Sequence, residues 1–171
     1  MLAKHCARPQ DYCVRLRLDD LDHRLLEALQ QDAGRTLAVL GEAVGLSPSA
    51  VQRRIKRYRS AGLIAKLVAV LDPEALPGTV LAAVFVTLVS ESTREHRSFR
   101  QRMRVAREVQ QCYSLAGERD YLVLVVAGGM RECRDTVDGL FMDDPNVKRY
   151  TTHLVFDVVK TGFGVPTRPA G

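Results

Sequence analysis

The sequence predicts an α+β chain of two domains: a three-helix, helix-turn-helix (winged-helix-like) unit followed by a ferredoxin-like β-α-β-β-α-β unit. Three observations carry this expectation. Up to Gly62 the apolar residues recur three and four positions apart, as on one face of a helix. After Gly78 they run in β-branched or alternating stretches, separated by two segments of helical period. Between the two regimes, Asp72 to Gly78 holds Pro73 and Pro77 and breaks both patterns. The expected boundaries are a flexible leader at 1–17, a helix-turn-helix domain at 18–64, a linker strand and loop at 65–79, and a ferredoxin-like domain at 80–171.

The leader mixes charge, Pro9, Cys6 and Cys13 without a period. It is either a mobile end or a basic arm reaching DNA through Arg15 and Arg17. The first helix opens at Asp19 or Asp20, either of which can cap it, and Asp22 in its first turn complements the positive end of the helix dipole. Leu21, Leu25, Leu26 and Leu29 form its apolar stripe, and Gly34 lies just past its end. Thr36 caps the second helix, in which Leu37, Leu40 and Val44 face inward. The small Gly41 is expected to let neighbouring helices approach closely. Gly45 suits a left-handed stop and Leu46 is the plug of the turn.

Ser47 then caps a third helix, with Pro48 at the first helical position, where no N–H is needed. Val51, Ile55 and Tyr58 make its inward stripe. Its opposite side carries Ser49, Gln52, Arg53, Lys56 and Arg57, flanked by Arg54 and Arg59, with no acid between Ser47 and Ala61. Ala61 and Gly62 end it. A tight glycine turn feeding a capped basic helix is the pattern by which helix-turn-helix proteins enter the major groove. The alternative is an ordinary αα-hairpin with a solvated basic face. The charge distribution favours DNA: residues 1–62 hold 11 Lys+Arg against 7 Asp+Glu, residues 63–171 hold 14 against 13, and the whole chain carries +5.

Leu63 to Leu71 reads as an extended exit from the first domain. In the second domain, Val80 to Val89 is the first strand. Thr93 caps a helix to about Val109, with Phe99, Met103 and Ala106 inward and Arg94, Arg97, Arg100, Arg104 and Arg107 outward. That arginine face is either solvated surface or a path for DNA. Gln111 to Leu115 and Tyr121 to Ala127 are strands, Met130 to Met142 is a helix, and Asp143 to Asn146 breaks it. Val147 to Lys160 is the last strand, with Val147, Leu154, Phe156 and Val158 among its apolar positions. A sheet with both helices on one face leaves the other bare, and a second copy of the chain is the simplest cover.

Other classes find little support. The cysteines, including Cys112 and Cys133, form no C-x-x-C pair and read as reduced thiols of a cytoplasmic protein. His5, His23, His96 and His153 show no metal-ligand spacing, so no metal is expected. An enzyme on this scaffold would draw on Asp120, Tyr121, His153 and Cys112, but no nucleophile motif or phosphate-cradling glycine loop accompanies them. No catalytic residue and no cofactor is expected. The longest uncharged apolar run is too short to span a bilayer, and no signal peptide is visible, so no membrane partner is expected.

From Leu18 to about Pro166 the sequence resembles the Lrp/AsnC, or feast/famine, transcriptional regulators. The resemblance rests on Leu18-Asp19-Asp20-Leu21-Asp22, on Val44-Gly45-Leu46-Ser47-Pro48-Ser49 with Arg53-Arg54-Ile55, on Ala61-Gly62-Leu63-Ile64, and on Val70-Leu71-Asp72-Pro73. Gly117-Glu118-Arg119-Asp120-Tyr121 and Val147-Lys148-Arg149 complete it. It implies a helix-turn-helix domain joined to a ligand-sensing domain of the RAM type, dimerisation through the sheets, and assembly as a tetramer of dimers. It also implies nucleoid association and an amino-acid effector held between dimers near Gly117, Glu118, Arg119, Asp120 and Tyr121. The sequence departs from the family pattern at Ala116, where threonine is frequent, and at Phe163, where a small hydroxyl residue is common.

Two functions are therefore compatible with the sequence. The first is sequence-specific control of amino-acid metabolism or transport genes, with Ser47, Ser49, Gln52, Arg53, Arg54, Lys56 and Arg57 on double-stranded DNA and Ser49, Gln52, Arg53 and Lys56 nearest the base edges. Backbone N–H groups near Gly117 would hold an effector's α-carboxylate and Asp120 its α-ammonium. The alternative is a ligand-sensing or assembly module of the same fold without DNA binding.

Overall fold

The computed structural model describes residues 16–72, 75–90 and 92–168. Most of the leader, with Arg15, Cys6 and Cys13, lies outside the described residues, as does Pro73. The chain forms two compact units, residues 1–69 with 161–171, and residues 70–160.

In the first unit, α1 (Asp20–Gln31), α2 (Leu37–Val44) and α3 (Pro48–Ser60) follow the helical period. Of the two candidate caps for α1, Asp19 serves: its carboxylate accepts the Asp22 N–H at 2.7 Å and the Asp22 carboxylate returns the bond to the Asp19 N–H at 3.0 Å. Thr36 and Ser47 cap α2 and α3 through hydroxyls that accept the N–H of Val39 and Ala50, both at 3.3 Å. Gly45 ends α2 in the left-handed region at φ 77°. Leu25, Leu26, Leu40, Val44, Val51 and Tyr58 form the core, with Ile55 and Leu46 packed at its margin. Gly41 is buried for a reason different from the expected one. A Cβ there would meet the carbonyl oxygen of Leu46, so the close approach is between α2 and its own turn.

In the second unit, β1 (Val80–Leu88), β2 (Val109–Ser114), β3 (Tyr121–Ala127) and β4 (Val147–Leu154) form one antiparallel sheet in the order β2-β3-β1-β4. The helices α4 (Thr93–Val105) and α5 (Met130–Phe141) cover one face. Phe99 and Met103 from α4 and Cys133, Val137 and Phe141 from α5 pack on Ala82, Val84, Val86, Val123 and Val125. The ferredoxin-like arrangement is thus present. On the opposite face Phe85 stands between Leu122 and Thr151, and Ala83 between Leu124 and His153. Ala83, Phe85, Leu122, Leu124 and Thr151 are only partly covered by their own chain, in contrast to the fully buried residues that alternate with them, and His153 is exposed.

Several boundaries differ from the expectation. Ser92, not Thr93, caps α4, its hydroxyl accepting the Glu95 N–H, and α4 ends at Val105 because Glu108 already pairs its carbonyl with Val126 in the sheet. The last strand stops at Leu154 rather than Lys160. Leu154 lies opposite Ala82 and the Val155 N–H reaches the Leu81 carbonyl, beyond which the chain leaves β1 and Phe156 is fully exposed. The residues after Thr161, expected with the second domain, group with the first unit. Gln30 bonds both backbone groups of Val165, at 3.1 and 2.7 Å, Thr167 reaches Glu27 at 3.2 Å, and Arg168 pairs with Asp20 at 3.1 Å.

Candidate nucleic-acid interface and effector loop

The helix α3 divides its side chains cleanly. Val51 and Tyr58 are buried and Ile55 half-buried, whereas Ser47, Ser49, Gln52, Arg53, Lys56 and Arg57 are exposed. The Ser47 and Ser49 hydroxyls lie 3.1 Å apart at its N-terminal end. A cluster of donors, Gln52, Arg53 and Lys56, therefore stands on one side of a helix whose other side is anchored in the core. Such donors can address phosphates and base edges.

Arg54 and Arg57 have additional duties that the charge pattern does not reveal. Arg54 is half-buried and its guanidinium pairs with Asp19 at 2.9 Å and with Asp22. Arg57 donates to the other Asp22 oxygen at 2.5 Å and lies over the Tyr58 ring. Asp22 itself is 1% exposed and also accepts the Tyr58 hydroxyl. The reading of Asp22 as a helix-dipole residue is thus incomplete: it is a buried hub joining α1 to α3. Burial alone raises its carboxyl, but the bonds from Tyr58, the Asp19 N–H, Arg54 and Arg57 override this and hold it well below the usual carboxylate range. The same surroundings push the Tyr58 hydroxyl up, through burial first and the Asp22 bond second. Arg54 is accordingly directed into the protein, and it orients α3 rather than facing outward with Arg53.

In the second unit, the loop between β2 and β3 exposes Ala116, Gly117 and Glu118, and among the described residues their N–H groups donate to nothing in the chain. Gly117 has φ 144°, a conformation that L side chains rarely adopt. The rest of the expected effector set is partly committed to the fold. One Asp120 oxygen accepts the Leu88 N–H at 2.7 Å, and Arg119 reaches Thr87 at 3.5 Å and Glu118 at 3.9 Å. Tyr121 departs from the expectation. It is 1% exposed, stacks near Phe99, and its hydroxyl meets His96 Nδ1 at 2.6 Å and receives the Arg100 Nε–H at 3.2 Å. Its alternation with Val123 and Val125 marks the core face of β3, a signal that the family motif masks. Phe163 is 63% exposed and lies in the segment grouped with the first unit.

Among the described residues no group of three or more His, Cys, Asp or Glu side chains is placed to hold a metal ion, and no helix is long and apolar enough to cross a membrane. Cys133 is buried and Cys112 half-buried, and burial pushes both thiols up.

Comparison with known proteins agrees with this geometry. The AsnC-type helix-turn-helix domain matches residues 18–59 and the Lrp/AsnC ligand binding domain matches residues 81–165. An HTH-type transcriptional regulator of Sinorhizobium fredii is 36% identical over 157 residues, 92% of each chain. The proline dehydrogenase transcriptional activator of Rhizobium radiobacter is 33% identical over 84% of this chain and 94% of its own. The crystal structure of a Neisseria meningitidis transcriptional regulator in complex with L-Met superposes with a TM-score of 0.77 at 28% identity, covering 88% of this chain and 97% of that one. With an AsnC-type helix-turn-helix on one unit and a Lrp/AsnC ligand binding domain on the other, the chain belongs to the Lrp/AsnC family of transcriptional regulators.

Proposed function

We propose that this regulator recognises its operator through Ser49, Gln52, Arg53 and Lys56, with Ser47 and Arg57 at the edges of the DNA-binding surface. The observation that carries the reading is the exposure of these groups on a helix whose Val51 and Tyr58 are fully buried, so that the donors are held on a rigid support. Arg54 acts from beneath, keeping α3 seated on α1. The test is binding of DNA from the region upstream of its own gene by the triple variant Gln52→Ala, Arg53→Ala, Lys56→Ala. Loss of preference for that DNA over random duplex is the expected result. Retained preference would overturn the reading in favour of a ligand-sensing assembly module.

The effector is an amino acid whose α-carboxylate meets the free N–H groups of Ala116, Gly117 and Glu118 and whose α-ammonium meets the second oxygen of Asp120. Those free amides and the methionine complex of the Neisseria relative support this reading. Glu118 and Arg119 flank the ligand, while Tyr121 supports the loop from the core. Calorimetric titration with a panel of amino acids tests it. A heat abolished by Gly117→Val is expected, and no heat with any amino acid would overturn it.

Two copies pair through the bare sheet face around Phe85, Leu122 and Leu124, and dimers assemble further, up to a tetramer of dimers. Pairing of the helix-turn-helix units then requires a pseudo-palindromic operator with half-sites about one helical turn apart, or a multiple of that. The site of action is the cytoplasm, on the nucleoid, where an effector amino acid adjusts transcription of genes for amino-acid use.

A further inference from the structure

The helix α4 carries five arginines against a single acid, Glu95, although residues 63–171 as a whole are nearly neutral. Arg94, Arg97, Arg100 and Arg104, together with Arg107 just beyond, are all exposed. Phe99 and Met103 face the core, and Arg102 turns away to pair with Asp144. Arg100 is steadied by the Tyr121 hydroxyl at 3.2 Å. Among the described residues, Arg94, Arg97, Arg104 and Arg107 form no ion pair.

The fold does not account for this arrangement. Like charges three and four positions apart destabilise a helix. Arg94 also lies in its first turn, where the helix dipole disfavours cations. From Arg94 to Arg104 is ten residues, roughly 15 Å of helix. One strand of B-DNA presents a phosphate every ~3.4 Å of axis, so about four phosphates span that length. Four guanidiniums therefore face about four phosphates, and each can bind one with a two-pronged fork.

We infer that the outer face of α4 is a second, sequence-independent binding surface for the phosphate backbone of duplex DNA. It supplies affinity and salt dependence, while α3 supplies sequence preference. The inference rests on the DNA-binding reading of α3, and the test separates the two.

The variant Arg94→Gln, Arg97→Gln, Arg104→Gln, Arg107→Gln is compared with the unaltered protein as log K against log salt, on operator and on random duplex. Its melting temperature should be unchanged or raised, because the substitutions relieve repulsion. The slope should become shallower by about 0.9 for each phosphate that is no longer neutralised, on both DNAs equally, with the operator-to-random ratio preserved. The variant Arg131→Gln, Arg134→Gln on α5 should leave the slope unchanged. An unaltered slope for the α4 variant would overturn the inference and leave the ridge to water or to another acidic partner. Equal effects from the α4 and α5 variants would overturn it as well. Failure of the α3 reading looks different, since it leaves the operator-to-random ratio insensitive to Gln52, Arg53 and Lys56.

Discussion

The Tyr58 hydroxyl donates to the Asp22 carboxylate at 2.5 Å, with both side chains shut away from water between α1 and α3. A buried acid is tolerated there because Arg54, Arg57 and the Asp19 N–H occupy its remaining acceptor sites.

This hub sets how the helix-turn-helix unit responds to acid. The folded-state pKa of Asp22 lies below its ordinary value of 3.8, so its contribution to stability is complete above that value and is lost as pH falls toward the depressed one. Amide exchange in α1 and α3 should accelerate steeply between about pH 4 and 2. In Asp22→Asn the acceleration should already be present at neutral pH, with a loss of roughly 3 kcal/mol, and the acid dependence should be flatter.

Adjacent arginines on α3 should behave oppositely. Arg54→Ala removes a largely buried pair and should lower the stability of the first unit by about 2–3 kcal/mol, visible in urea denaturation. Arg53→Ala should leave denaturation unchanged within about 0.5 kcal/mol and instead weaken operator binding by about 1–3 kcal/mol in anisotropy titrations.

Gly41→Ala reverses the usual rule. In an open helix this exchange stabilises by ~1 kcal/mol. Here the new methyl meets the Leu46 carbonyl oxygen, so a loss of about 1–3 kcal/mol is expected, with the turn at Gly45 displaced. Thermal melts of the two proteins decide the sign.

The open sheet face gives a fourth prediction. Phe85 meets the His153 ring edge-on with centroids 5.7 Å apart and is flanked by Leu122. Phe85→Lys places a charge on the surface proposed to meet a second copy. Sedimentation should show the variant shifted to monomer while its far-ultraviolet dichroism is retained.

The parts of this fold that are legible in the sequence are those fixed by neighbours in the chain. Thr36, Gly45, Ser47 and Pro48 each act within a few residues, and α2, its turn and α3 have their expected ends. Features that depend on distant segments are not legible. Asp22 meets Arg54, Arg57 and Tyr58 more than 30 residues away, so its role as a hub is invisible to local pattern. The end of β4 is marked by the last pairing with β1, Leu154 opposite Ala82, while the alternating apolar residues of the sequence run on past it. The exposed donors of α3 are readable from helical period alone, whereas Tyr121, although read as the first residue of a strand, passes for an effector contact when its motif is taken ahead of its place on the core face.

The bonds from Gln30 to Val165 carry a last consequence. They join residues 135 positions apart, so the smallest fragment keeping every internal bond of the helix-turn-helix unit is discontinuous. Excision of residues 18–69 removes the segment that runs along α1 and leaves Gln30, Glu27 and Asp20 without these partners. A nick near residue 75 leaves the bonds of Val165, Thr167 and Arg168 to α1 uncut.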